Sequence, residues 1–348
     1  MRMRTLGQTG IKVSPYCLGA MMFGAWGEPD HDESVRVIHA ALDGGINFID
    51  TADVYSQGES EEIVAKALKG RRNDVVLATK FHGAMGEDPN ARGSSRRWIF
   101  QEVEHSLRRL RTDWIDLYQV HRLDPATDID ETLGALSDLI HEGKVRAIGS
   151  STFPAEAIVE AQWVAERRGR ERFVCEQPPY SIFARGIERA VLPTCERYGM
   201  GVIPWSPLGG GWLTGKYRQG QEIDLTKGRA GRMPQRFDPA LPGNARKLEL
   251  VEALVAVAEG AGCSLTHLAM AFVVSHPAVS AAIIGPRTMD QLTDILAGAD
   301  LVLDDATLDE IDAIVAPGTN VHVDDAGWQP PAIAQAWHRR RPIETRGA

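Results

Sequence analysis

The sequence predicts an α/β protein built as a parallel (β/α)8 TIM barrel, and two observations carry that prediction. Eight short apolar runs alternate with amphipathic, helix-period segments through most of the 348 residues. Three consecutive runs also end on an ionisable side chain: Asp50 after residues 46–49, Lys80 after 75–79, and His121 after 114–120. The carboxyl ends of parallel barrel strands converge on one face, where the active sites of such barrels lie. Tyr55 follows Asp50 by five positions, ahead of a helix opening at Ser60, Glu61 and Glu62. A buried strand that ends on a carboxylate is costly without a cation, so Asp50 predicts a partner, and Lys80 is the candidate.

The elements follow in order. Residues 4–14 read as a short hairpin around Gln8-Thr9-Gly10, ahead of the main fold. The eight strand candidates are 17–21, 46–49, 75–79, 114–120, 145–148, 174–177, 201–205 and 279–284. Between them, helix 32–42 places Val35, Ile38 and Leu42 on one face, and helix 95–110 does the same with Ile99, Val103, Leu107 and Leu110. A third carries Leu133, Leu136, Leu139 and Ile140 and stops at Gly143. Two segments break the rhythm. Residues 218–243 are rich in Gly, Pro and charge and exceed the roughly 12–15 residues at which structureless loops become uncommon; placed after the seventh strand, they read as a lid. The tail 317–348, with Trp328, Pro330, Pro331, Trp337 and Arg339 to Arg341, lies beyond the last barrel helix. It is left open between a pocket wall, a contact with a second copy in a homo-oligomer, and plain surface.

Composition narrows the classes. A 43% hydrophobic chain of this length suits one barrel domain spanning residues 1–348. The net charge of −9 disfavours nucleic acid and anionic membranes as partners. No apolar run approaches the roughly 18 residues of a spanning helix, and the first ten residues lack the apolar core of a signal peptide, so the expectation is a cytoplasmic protein. Cys17, Cys175, Cys195 and Cys263 are far apart without CxxC spacing, which predicts reduced thiols and no metal site.

The order Asp50, Tyr55, Lys80, His121, with DTADVYSQGESEE around the first pair, resembles the aldo-keto reductases. That resemblance covers roughly residues 3–303 and leaves 304–348 as a C-terminal helix and tail over the catalytic face. It implies an NADPH-dependent oxidoreductase that reduces aldehydes or ketones, with Tyr55 as general acid and Asp50, Lys80 and His121 tuning it. The chemistry agrees: hydride addition builds negative charge on the carbonyl oxygen, which needs a proton donor and a polarising group. A phenol titrates near pH 10 unless a cation such as Lys80 draws it down.

No GxGxxG follows a strand, so the cofactor would lie across the barrel mouth rather than on a Rossmann domain. By resemblance, Gly19, Ala20 and Met21 lie below the nicotinamide, Trp205 stacks on it, and Ser151, Thr152 and Gln177 hold its carboxamide. Thr152 stands where the family commonly has Asn. Residues 210–216 match the first seven positions of a P-loop, but Tyr217 replaces the magnesium-binding Ser or Thr. The stretch Ser206, Pro207, Leu208, Gly210, Gly211, Lys216 is similar instead to the family's pyrophosphate loop. Gly285 and Arg287 precede a helix N-terminus suited to a 2′-phosphate, favouring NADPH/NADP+ over NADH. Gln291 and Asp294 resemble adenosine contacts, and Ile295 replaces a usual Asn. The branch most alike contains potassium-channel β subunits and bacterial aryl-aldehyde reductases. Trp26, Tyr55 and His121 are the expected substrate contacts for an aromatic or bulky carbonyl, with loops 24–30, 82–97 and 122–127 setting specificity. Two other classes stay in view: a nicotinamide-binding regulatory subunit with slow or no turnover, and a metal-dependent barrel hydrolase using Asp50 and His121.

Overall fold

The computed structural model describes residues 1–226 and 228–347. The chain opens with an antiparallel hairpin, β1 (Arg4–Thr5) and β2 (Lys12–Val13). Its turn sits under the barrel: a Cβ on Gly7, at φ +55°, would lie 2.5 Å from the backbone nitrogen of Gly201 and 2.6 Å from the Gly199 oxygen. Leu6 and Val13 are fully buried among the side chains that fill the barrel interior. The hairpin therefore closes the amino-terminal end.

Eight parallel strands follow: β3 (Tyr16–Gly19), β4 (Phe48–Asp50), β5 (Val76–Phe81), β6 (Ile115–Val120), β7 (Val145–Ser151), β8 (Cys175–Gln177), β9 (Gly201–Val202) and β10 (Ala282–Ile284). They are ordered β10-β3-β4-β5-β6-β7-β8-β9. A parallel bridge from Val202 to Val279 closes the ring, with Ser280 N donating to Val202 O at 2.8 Å. This is the (β/α)8 barrel that the sequence predicts. β9 is shorter than the expected 201–205 because Pro204 offers no N–H and Pro178 and Pro179 interrupt its neighbour; pairing resumes only at a Pro179–Trp205 bridge.

Helices α1 (His31–Asp43), α2 (Glu59–Ala67), α3 (Arg96–Leu110), α4 (Ile129–His141), α5 (Ala155–Arg168) and α6 (Val191–Arg197) cross between strands. The Asp30 carboxylate caps α1 by accepting from Asp32 N and Glu33 N at 2.8 and 3.1 Å, and Ser95 caps α3. On α3 the predicted stripe, Ile99, Val103, Leu107 and Leu110, is buried against the strands. α2 opens at Glu59, one residue before the expected start.

After β9 the rhythm changes to α7 (Gly228–Arg232), α8 (Pro242–Gly260) and α9 (Leu265–Ser275) before β10. Segment 218–243 is anchored by a two-pronged Arg218–Glu252 pair at 2.8 and 2.6 Å and by Phe237 stacked 5.7 Å from Trp212. From α7 the Arg232 guanidinium reaches the carbonyl oxygen of Trp26 and lies 3.4 Å from Met22 Sδ. The segment thus spans the barrel mouth from one rim to the other. α10 (Met289–Ala297) and α11 (Asp305–Ile314) complete the wall, and a one-turn α12 (Pro331–Ala334) lies in the tail. The tail meets the catalytic face through an Ala184–Asn320 bridge and a Lys247–Asp325 ion pair of 2.5 Å. Farther on, Trp337 and Ile343 are 70% and 77% exposed. Among the described residues no single helix is long and apolar enough to cross a membrane.

Candidate active site

At the carboxyl end of β4 the Asp50 side chain is buried, and three groups donate to it. Lys80 Nζ, from β5, lies 2.6 Å from Oδ2; Gln119 Nε2 and Gln177 Nε2, from β6 and β8, lie 3.1 and 2.8 Å from Oδ1. The ammonium also donates to Thr51 O at 2.8 Å and to Tyr55 Oη at 3.3 Å. Tyr55 comes from the turn between β4 and α2, whose Ser56, Gln57 and Gly58 have φ of +49°, +55° and +94°. Three left-handed residues in a row need support. Arg109 supplies it: a Cβ on Gly58 would stand 2.6 Å from Arg109 Cδ. The same guanidinium is held by the buried Glu61 and Glu102 at 2.6 and 2.5 Å, and Glu61 accepts from Thr79 Oγ1 at 2.6 Å, next to Lys80. A buried ionic network therefore braces the turn that carries Tyr55.

The electrostatics separate the roles. Burial opposes the Lys80 charge, but Asp50 and Tyr55 overcome it and raise the ammonium's pKa. For Tyr55, burial wins over the attraction of Lys80 and the phenol is pushed up from 10.0. Lys80 acts in the expected direction, drawing the phenol down, but burial outweighs it. Burial, reinforced by Lys80 and Arg122, holds His121 well below 6.5, so the imidazole is neutral. Its ring meets the Tyr55 ring edge-on, centroids 5.7 Å apart, and Trp26 lies 6.0 Å from Tyr55 on another side.

These groups form the floor of a cleft of about 720 Å³. Gly19, Met21, Ser151, Gln177, Trp205, Ser206, Pro207, Leu208, Gly210, Gly211, Lys216, Gly285, Arg287, Gln291 and Asp294 all line it, as do Trp26, Asp50, Tyr55 and His121. Two expected contacts do not. Ala20 is fully buried and structural, its N–H donating to Asp50 O at 2.8 Å and its oxygen accepting from Ser60 Oγ at 2.8 Å. Thr152 sits behind the lining, with Oγ1 3.4 Å from Trp205 Nε1. Its φ of +59° is an uncommon conformation for a β-branched residue and one that Asn tolerates. Lys80 lies beneath the floor.

Sequence reasoning missed several residues. Gln119 is in register with Leu117, which faces the barrel interior, so period-two alternation along β6 could have found it. Met22, Val54, Arg122, Arg229 and Arg232 also line the cleft, but from loops and the lid, where no periodicity locates a side chain.

Glu176, on β8 beside Gln177, is fully buried; it accepts from Ser150 Oγ at 2.5 Å and Phe153 N at 3.1 Å and so supports the turn holding Ser151 and Thr152. Burial raises its pKa to about 7, against those hydrogen bonds. A raised carboxyl contributes stability that is fully present below its ordinary 4.5 and lost as pH rises through about 7. The melting temperature is therefore expected to carry a pH dependence between those limits that Glu176→Gln removes. An unchanged profile in that variant would mean Glu176 does not titrate there.

By its fold the chain falls in the class of closed (β/α)8 barrels, with an Asp–Lys–Tyr chain and a neutral histidine at one end of a long cleft. Comparison with known proteins makes the assignment specific: the model of the Aldo/keto reductase family matches residues 15–316, and the chain belongs to that family. It is 39% identical over 311 residues to "Uncharacterized oxidoreductase YrpG" of Bacillus subtilis, covering 86% of this chain and 91% of that protein. It is 37% identical over 299 residues to "Aldo-keto reductase YhdN" of the same organism, covering 84% and 87%. With the "Probable voltage-gated potassium channel subunit beta" of Oryza sativa it shares 34% identity over 322 residues, covering 90% and 97%.

Proposed function

We propose that this chain, folding as one barrel domain, is a cytoplasmic NADPH-dependent reductase of aldehydes or ketones in which Tyr55 is the general acid. The observation that carries the reading is the bond pair at Lys80 Nζ, which joins Asp50 to Tyr55 at the floor of the cleft. The residues present fit a dinucleotide. Gly210 and Gly211, at φ +74° and +110°, keep side chains away from the cleft and bare the backbone, while Lys216 and Arg287 supply cations. At the other end both side-chain hydrogen bonds of Gln177 are donated by Nε2, to Asp50 and Gln119, leaving Oε1 to accept from an amide. Trp205 would stack on the nicotinamide, Ser151 and Gln177 would hold the carboxamide, and Gln291 and Asp294 would meet the adenosine.

Bound there, the cofactor supplies the hydride. Tyr55 donates its proton to the carbonyl oxygen as negative charge develops, and the Lys80 ammonium stabilises the phenolate left behind. Asp50 keeps Lys80 charged and aimed. Neutral His121 fixes the carbonyl oxygen by hydrogen bonding, and Trp26 walls an apolar pocket suited to aromatic or bulky substrates. Both Asp50 oxygens are already engaged, so the metal-hydrolase reading gains no support.

The test is a titration with NADPH and with NADH, followed by quenching of tryptophan fluorescence. NADPH is expected to bind roughly tenfold or more tightly than NADH, the scale of one charge-assisted contact to a 2′-phosphate. Arg287→Leu is expected to close that gap, and equal affinities in the unaltered protein would remove the assignment. The likeness to a protein named as a channel β subunit keeps one second reading open, a nicotinamide-binding regulator; turnover of aldehydes separates the two.

A further inference from the structure

Arg122 follows His121 at the carboxyl end of β6; the residue is exposed at the rim of the cleft and lines it together with Trp26, Met22, Val54 and Tyr55. Both of its hydrogen bonds come from Nη1, to His121 O at 2.6 Å and to Thr152 Oγ1 at 3.2 Å. Nε and Nη2 donate to nothing among the described residues. No carboxylate lies within ion-pair distance of it there either. Three arginines packed into the body of this fold are matched to acids, Arg72 to Asp116, Arg109 to Glu61 and Glu102, and Arg185 to Glu188 and Asp312, whereas Arg232, which also lines the cleft, bonds to Trp26 O and Met22 Sδ. Glu176 and Tyr55 are the groups whose charge would favour that of Arg122, but Glu176 is committed to Ser150 and Phe153 and Tyr55 to Lys80. His121 and His82 face it as further titratable groups and offer no negative charge. Arg229, by contrast, stands 3.5 Å from a Cβ built on Gly210, against the glycine loop at the phosphate end.

A guanidinium anchored by one nitrogen at the rim of a cleft, with Nε and Nη2 open to solvent, can receive a planar anion. We propose that Arg122 recognises a carboxylate on the substrate, so that the preferred substrates are aromatic or bulky carbonyl compounds bearing a carboxylate group. This deepens the reductase reading and rests on it for the carbonyl, though not for the anion.

The experiment has two arms. In the first, kcat/KM is compared for 3- and 4-carboxybenzaldehyde against the neutral 3- and 4-carbamoylbenzaldehydes. At least one carboxylated isomer is expected to be favoured roughly tenfold or more, the scale of a charge-assisted hydrogen bond. Arg122→Met is expected to bring that ratio near one, and Arg122→Lys, which keeps the charge without the fork, to retain part of it. In the second arm, binding of benzoate and of benzamide is measured on the protein with and without NADPH. Benzoate is expected to bind more tightly than benzamide, and only while residue 122 is cationic. A ratio near one in the unaltered protein, a preference that survives Arg122→Met, or a variant that loses NADPH affinity while benzoate binding is unchanged would each overturn the proposal. Should no aldehyde turn over, the reductase reading fails; benzoate binding that Arg122→Met removes would still support the anion site, and binding it leaves intact would still overturn it.

Discussion

A Tyr55→Phe variant is expected to lose roughly 10²–10⁴-fold in kcat for aldehyde reduction, the range for removing a positioned general acid. Only the Oη is deleted, and its bond to protein is the 3.3 Å contact with Lys80, so the barrel and the cleft walls stay in place. NADPH affinity, read by fluorescence quenching, should stay close to that of the unaltered protein. The pH profile adds a second readout. The phenol titrates above 10.0 and His121 well below 6.5, so neither contributes an inflection to the reduction rate between those values. An inflection near 7 that disappears in Glu176→Gln belongs to Glu176 instead. Equal loss of turnover and of cofactor binding in Tyr55→Phe would mean the residue is structural.

Lys80→Met carries the next largest effect, because it removes turnover and leaves Asp50 with a buried, unpaired charge. The two side chains are 0% and 3% exposed, and breaking a buried pair by deleting one partner costs about 3–5 kcal/mol. Thermal melting should show that loss at neutral pH. Because the folded ammonium's pKa is raised above 10.5, its contribution is fully present below that value and is lost only as pH rises through the folded one. The double variant Asp50→Asn/Lys80→Met separates stability from chemistry: the amide oxygen still accepts from Gln119 and Gln177, so stability is expected to recover while turnover does not. Recovery of neither would place the fault in packing rather than charge.

The barrel was legible because its signal is repeated. Nearly every residue of the eight barrel strands is buried, and three of the flanking helices show a 3.6-residue apolar stripe, so several weak readings reinforce one another. The Asp50–Lys80 pair was legible for a different reason: a carboxylate at the end of a buried strand demands a cation, and the next strand ends on one. What the sequence hides is direction and strain. Nothing in the letters says that Arg122 reaches Thr152, that Arg232 bridges to the Trp26 carbonyl, or that Ala20 faces the core while Gly19 and Met21 face the cleft. The positive φ at Thr152 is invisible too, although it explains why Asn would suit that place. The balance at Tyr55 needed depth as well as neighbours, since burial and Lys80 act in opposite directions.

In the proposed reaction the Asp50–Lys80–Tyr55 chain delivers a proton to a carbonyl oxygen as reduced cofactor is consumed. The most direct test is a single-turnover reaction of the NADPH-loaded protein with an aryl aldehyde, following cofactor oxidation and alcohol formation together. One alcohol is expected per NADPH consumed, with the rate falling by orders of magnitude in Tyr55→Phe. Tight binding of NADPH with no consumption across a panel of aldehydes and ketones would contradict it and leave a nicotinamide-binding regulator as the better description.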